Sequence, residues 1–257
     1  MAVRKIGVIA LNTLREAIRD KILYNLLLFA LLMIGVSVFL GTLTTGEQVK
    51  VVKDMGLACI SLFGVLIAVM VGIGLVYKEI DRRTIYTILA KPIRRSEFLL
   101  GKYLGLMLTI FLNVLVMAAG LSGITWGLEG IFPWILLKAV LLILVELMVV
   151  TSIALLFSTF STPFLSAMFT LGIYVIGHLS EEFKLLGAQS ESPLIRGLSS
   201  FLYYLLPDLQ NFNIKAEVVH NVPVDPSFIF FSILYGVLYM GITLAIAAAI
   251  FDRRDFK

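Results

Sequence analysis

Six stretches of this chain, 22–40, 55–77, 103–126, 134–157, 163–179 and 228–251, run for 17 to 24 residues almost without charge, and the charged side chains collect between them. About 20 predominantly apolar residues carry a helix across the hydrocarbon of a bilayer, and a barrel strand needs only about half that number. With no water there to satisfy exposed backbone groups, the pattern predicts six transmembrane helices. The expected fold class is an all-α polytopic membrane protein, one transmembrane domain over 1–257. Ahead of the first span, within 1–21, Ile6, Ile9, Ala10, Thr13, Leu14, Ala17 and Ile18 recur at helical spacing, while Arg4, Lys5, Asn12, Arg15, Glu16 and Arg19 take the other face. This predicts an amphipathic interfacial helix, serving either as a basic anchor or as an elbow packed on other helices.

Charge turns the list of spans into a topology. Lys and Arg number five before the first span, seven in the loop 78–102, none between the fourth and fifth spans and three after the sixth, against six on the opposite side. The excess marks the cytoplasmic face, so both termini are expected there. The segment 1–21 is too polar for a signal-peptide core, and the first span is expected to remain in the mature protein. Composition agrees with the class: 60% apolar residues and 15% charge, with a mean hydropathy of +1.00, do not describe a soluble domain. The net charge of +4 reflects the cytoplasmic belt and suits anionic lipid rather than nucleic acid. The single Cys59 excludes an intrachain disulfide.

Two intervals between spans have internal structure. In the loop 78–102, Asp81 can cap a short helix with an apolar stripe of Ile85, Ile88 and Leu89, ended by Lys91-Pro92, and Ser96 can cap the helix that becomes the third span. A short helix of this kind fits a groove on a soluble partner; seven cations also serve simply to hold the loop on its side of the membrane. The segment 180–227 carries six acidic residues against three basic ones. Leu194, Leu198, Phe201, Leu202 and Leu205 form a helical stripe that Pro207 breaks, and a second helix is expected over 211–220.

The spans hold few polar groups. Glu146 sits halfway along the fourth and is a candidate functional residue for that reason. Asn113 and Tyr239 fall at similar depth in the third and sixth spans and can hydrogen-bond it. The group reads either as polar glue between helices or as a substrate or proton site. Gly101-x-x-x-Gly105 and Gly123-x-x-x-Gly127 permit close helix approach, although 20 glycines produce such spacings by chance.

The run Tyr77-Lys78-Glu79-Ile80-Asp81-Arg82-Arg83-Thr84, then Leu89-Ala90-Lys91-Pro92, Arg94, Phe98 and Gly101-Lys102 resembles the first cytoplasmic loop of ABC-2 type permeases, the membrane subunits of a class of ABC transporters. The basic amphipathic start, the six spans and the turn Ser158-Thr159-Phe160-Ser161-Thr162-Pro163 extend the resemblance over nearly the whole chain. Leu206-Pro207-Asp208-Leu209-Gln210-Asn211-Phe212-Asn213 is similar to the branch associated with multicopper-enzyme maturation.

The resemblance implies that 81–90 is a coupling helix docking into a separate ATPase subunit. Its contacts would be Glu79, Asp81, Arg82, Arg83 and Thr84, with the stripe Ile85, Ile88, Leu89 and Pro92 beside them. It implies a membrane-spanning permease subunit, more an exporter than an importer, in a bacterial or archaeal inner membrane. Two ATPase copies and a second permease, as a homodimer, are the expected partners. It also implies that the segment 180–227 forms short helices dipping back toward the membrane, where a surface-lying loop is the other reading.

Consistent with a partner ATPase, no phosphate loop is present: Ser96 stands where Gly101-Lys102 would need a preceding glycine, and Tyr103 replaces the Ser or Thr. ATP and Mg are therefore expected on the partner, and no cofactor on this chain. Other classes are weighed on single features. Gly120-Leu121-Ser122-Gly123 resembles the serine motif of rhomboid intramembrane proteases, with His178 near the same face, but the histidine has no orienting partner in the sequence. A secondary transporter calls for a matched pair of broken helices in the two halves, and none is visible. With two histidines and no His-Glu-x-x-His, a catalytic metal site is not expected.

Overall fold

A computed structural model describes residues 2–44, 46–81, 94–180 and 206–253, with eight scattered positions between 182 and 203. Among these residues there are eight α-helices, one 3-10 turn and no strand. The helices are α1 (Ala2–Ile18), α2 (Lys21–Thr42), α3 (Gln48–Asp81), α4 (Arg95–Glu129), α5 (Trp134–Ser158), α6 (Pro163–His178), α7 (Lys215–Val219) and α8 (Pro226–Arg253), and the 3-10 turn is Leu209–Phe212. Five of them, α2, α3, α4, α5 and α8, are long and apolar enough to cross a membrane. The fifth apolar run gives a helix of 16 residues, α6. At 1.5 Å per residue it measures about 24 Å, short of a hydrocarbon layer of about 30 Å.

One expected helix boundary moves. The described part of α3 runs to Asp81, and the short helix expected after it lies outside the described residues. The helix α4 begins after Arg94 rather than at Ser96: the Glu97 carboxylate accepts the Arg94 backbone N–H at 3.1 Å, which satisfies a donor that the helix itself leaves open. The side chains of Glu79 and Asp81 lie outside the described residues, as do Arg82, Arg83, Thr84, Ile85, Ile88, Leu89 and Pro92.

The helices pack as an up-and-down bundle whose two ends are marked by polar contacts. At one end Arg95 of α4 donates to the carbonyls of Phe251 and Asp252 at the end of α8, at 2.9 and 3.3 Å, and Phe98 stacks on Phe251. At the other end Lys53, near the start of α3, donates to Glu129 at the end of α4 at 2.6 Å, with its side chain only 2% exposed. An ammonium so buried is tolerable because the carboxylate neutralises it. Glu129 is followed by Gly130 at φ 71°, a left-handed C-cap that glycine adopts without strain.

Close approach is made at glycines. A Cβ on Gly64 of α3 would meet Leu147 of α5 at 2.5 Å, and one on Gly236 of α8 would meet Val145 of α5 at 2.6 Å. The amphipathic α1 lies against the first half of α4, where a Cβ on Gly101 would meet Ile9 at 2.7 Å and one on Gly105 the Ala10 carbonyl oxygen at 2.6 Å. Of the two glycine pairs noted in α4, Gly101 and Gly105 seat α1, with Thr13 and Ala17 fully buried, and Lys102 pairs with Glu16 at 3.6 Å. Gly123 and Gly127 face nothing within 4 Å, so that pair seats no described helix of this chain.

A side chain at Gly105 must push backbone aside, whereas one at Gly123 has room. Gly105→Leu is expected to cost about 1–3 kcal/mol, the usual range for overpacking, and to release α1 to limited proteolysis. Gly123→Leu should leave both the thermal midpoint in detergent and the digestion pattern unchanged.

Candidate functional site

The chemistry of the bundle gathers around Glu146. This residue is 1% exposed at the middle of α5, and the rotation of that helix decides what it meets. Val145 abuts Gly236 of α8, and Leu147 abuts Gly64 of α3. Successive residues are turned by about 100°, so Glu146 points between those neighbours. There it finds α6: Oε1 lies 3.3 Å from Nε2 of His178. The His178 Nδ1 is 3.1 Å from the Tyr174 carbonyl oxygen one turn back, the two rings pack at 4.6 Å, and the Tyr174 hydroxyl bonds Ser61 of α3 at 3.2 Å.

Depth alone had suggested Asn113 and Tyr239 as partners of Glu146, and the structure pairs it otherwise. Asn113 donates to Thr109 O on its own helix at 2.8 Å, and the Tyr239 ring lies against Tyr235. Depth fixes one coordinate of a helical residue and leaves the rotation open. The His178 partner that the sequence did not reveal is thus Glu146.

A second contribution comes from the segment 206–220. Its backbone enters the bundle rather than lying on it: Leu209, Phe212 and Val218 are fully buried, and a Cβ on Gly177 of α6 would meet the Pro207 carbonyl oxygen at 2.7 Å. The helix expected over 211–220 is divided into the 3-10 turn and α7, with Asn213 and Ile214 between them. The segment is held by polar contacts. Ser180 donates to the Asp208 carboxylate, the Asp208 N–H donates to the Tyr235 hydroxyl at 2.9 Å, and Ser232 donates to the Asn211 carbonyl at 3.0 Å. Irregular backbone at this depth requires such partners, because lipid supplies none.

The short helix α7 packs on α3 and α5 and brings Lys215 toward the cluster. Burial pushes the Lys215 ammonium below its ordinary value, while the carboxylates of Glu146 and Asp54 pull it back up. No feature of the sequence marked Lys215, since a lysine in a polar segment reads as surface until the segment is seen to turn inward. Beside this region a cleft of about 510 Å³ opens at the Lys53–Glu129 end, lined also by Lys50, Val219 and Asn221.

Ser122 is apart from all of this. It is 6% exposed, its hydroxyl has no partner among the described residues, and it lines an apolar groove of about 550 Å³ between α4 and α5 with Phe111, Leu115, Trp126 and Leu141. No histidine or carboxylate lines that groove, and His178 faces Glu146, so the serine lacks the base that a hydrolase needs. Among the described residues no group of three or more His, Cys, Asp or Glu side chains is placed to hold a metal ion.

Fold and site together define a multi-pass membrane protein, all-helical among the described residues, with a buried carboxyl and imidazole at its centre. A family model described as ABC-2 family transporter protein matches residues 8–256, and the chain belongs to that family. It is a membrane permease of an ABC transporter, in a family whose members work with an ATPase subunit and carry no ATPase site of their own. A search among curated proteins found no match.

The hydroxyl of Tyr235 is the acceptor that holds the entry of the inserted segment. Tyr235→Phe is expected to loosen 206–220 by about 1 kcal/mol, read as roughly fivefold faster amide hydrogen exchange across Leu209–Phe212 and Lys215–Val219. Tyr24→Phe, on the exposed face of α2, should leave those rates unchanged.

Proposed function

We propose that this chain is the path-forming subunit of an ATP-driven exporter and that a separate ATPase drives it through the loop 82–93. The family match over residues 8–256 carries the reading, because it extends from the amphipathic helix to the end of the last span. In this reading six helices span the membrane, with the short α6 completed by the inserted segment beside it. The end that gathers α1, Arg95 and Phe251 is cytoplasmic, in keeping with the Lys and Arg excess there. The end bearing Lys53 and Glu129 is external, and 206–220 closes the path on that side.

The drive follows from the chain order. Arg82, Arg83 and Thr84, with Glu79 and Asp81 just before them, contact the ATPase; Ile85, Ile88, Leu89 and Pro92 shape the docking helix. The loop leaves α3 at Asp81 and rejoins α4 at Arg95, so closure of the ATPase moves both helices, and α1 seated on α4 acts as the elbow. Two copies of the chain form a homodimer with two ATPases, which supply the ATP and Mg sites. Membership in the branch associated with multicopper-enzyme maturation rests on 206–213, whose burial suits an architectural role better than a free loop. Energy from ATP enters as differential affinity of the ATPase dimer for two permease conformations.

Reversing the charge at the docking loop tests the assignment. The double substitution Arg82→Glu and Arg83→Glu should reduce copurification of the ATPase about tenfold or more, the effect of a few kcal/mol from like-charge contacts, while the permease still reaches the membrane. Equal recovery of the ATPase with wild type and variant would remove the loop from the coupling interface.

A further inference from the structure

The Glu146–His178 contact carries a chemical constraint of its own. A backbone carbonyl only accepts, so the 3.1 Å contact between His178 Nδ1 and the Tyr174 oxygen places the ring proton on Nδ1. In a neutral imidazole, Nε2 is then a bare lone pair. It stands 3.3 Å from Glu146 Oε1, an oxygen with no hydrogen bond to any described donor. Two acceptors face each other across that gap. The arrangement is favourable when one additional proton lies between them, either on the carboxyl or on Nε2, and both assignments leave the pair with zero net charge. We infer that Glu146 and His178 together form a binding site for a single proton inside the bundle, and that its occupancy controls how firmly Lys215 holds the inserted segment 206–220 in place.

The link to Lys215 is electrostatic. Without the proton the pair carries one negative charge, buried where water does not screen it. The groups that face it are Lys215 from α7, Tyr174 from α6, Asp208 from the segment's entry and, further along α3, Asp54. Lys215 is the cation among them, so the charged pair draws it inward and α7 is retained. When the proton binds, Glu146 no longer attracts the ammonium; Asp54, exposed to solvent, is then its carboxylate partner, and the segment loosens. Proton uptake and release of α7 are thereby linked, and the two pair members titrate as a unit rather than separately. The proton site itself stands independently of the proposed exporter role; only its use as an external gate rests on that reading.

The full chain in nanodiscs, without any ATPase, suffices for the test, so its failure is separate from failure of the transport assignment. A nitroxide is attached at Ala216→Cys in a Cys59→Ser background, and the mobile fraction of its resonance spectrum is followed with pH. The expected result is a single-proton transition with the mobile fraction about tenfold higher at the acid limit, as when a minor state of roughly 10% becomes the main one. Glu146→Gln should hold the acid-limit spectrum at every pH. Lys215→Met should abolish the response while leaving the spectrum of a folded protein. His178→Gln, a second route to the same site should the first variant fold poorly, leaves a carboxyl without its imidazole and should displace the midpoint of the transition. A wild-type spectrum that does not change with pH, or an unaltered transition in folded Glu146→Gln or His178→Gln, would overturn the proposal.

Discussion

A carboxyl group closed off from solvent halfway along a membrane-crossing helix constrains everything packed around it. Hydrocarbon offers no hydrogen bonds, and an unpaired buried charge costs several kcal/mol even after relaxation. Glu146 therefore requires neighbours that can share a proton or supply a cation, and the bundle provides them from separate elements: His178 and Tyr174 from α6, and Lys215 from α7. The inward turn of 206–220 brings that lysine toward the carboxyl. Its own backbone groups are satisfied by Tyr235 and Ser232 of α8, so the segment can enter the bundle and bring the lysine with it.

The apolar packing makes this arrangement geometrically possible. Residues on either side of Glu146 are seated against glycines, Val145 on Gly236 and Leu147 on Gly64, and those contacts fix the rotation of α5. If either glycine carried a side chain, α5 would turn or withdraw, and the carboxyl would leave α6. The stability of the polar cluster is thus set by close-packed apolar contacts one residue away, a coupling expected of interiors packed near crystal density. The same device seats α1 on α4 through Gly101 and Gly105, where the buried Thr13 and Ala17 are small enough to let the helix axes approach.

The spans were largely legible in the sequence because length and hydropathy are properties of each segment alone. Boundaries were less so: Ser96 looks like a cap locally, while Glu97 sets the start of α4. Partners were least legible. Asn113 and Tyr239 fall at the depth of Glu146 by residue count, while His178, next to last in its apolar run, does not; which side chain meets Glu146 depends on helix rotation, itself set by glycines on two other helices, and on the short α6 ending beside it. Lys215 was beyond reach, since its meaning depends on whether 206–220 lies on the bundle or in it, and polar segments of both kinds share a composition. Of the two glycine pairs in α4, one seats α1 and the other seats no described helix of this chain, and only contact across the interface separates them.

One element connects the two ends of the molecule. With 34 residues, α3 is about 51 Å long at 1.5 Å per residue, well beyond the thickness of the hydrocarbon. Near its start it carries Lys53, locked to Glu129, then Asp54, and then Ser61 bonded to Tyr174; its described part runs to Asp81, next to the loop proposed to meet the ATPase. No Pro interrupts it, and Gly56 and Gly64 are filled by Leu121 and Leu147, which braces its first half, whereas Gly72 meets only Leu106 at 3.8 Å and Gly74 meets nothing within 4 Å. A braced stretch of helix transmits displacement along and about its axis rather than absorbing it by bending. Motion imposed at Asp81 that reaches this stretch would, in the proposed mechanism, change the positions of Asp54 and Ser61 relative to α6 and α7, the two elements that hold His178 and Lys215. In the proposed mechanism the force from the ATPase and the charge state of the Glu146 pair then act on the same contacts, and either one alters the free energy available to the other.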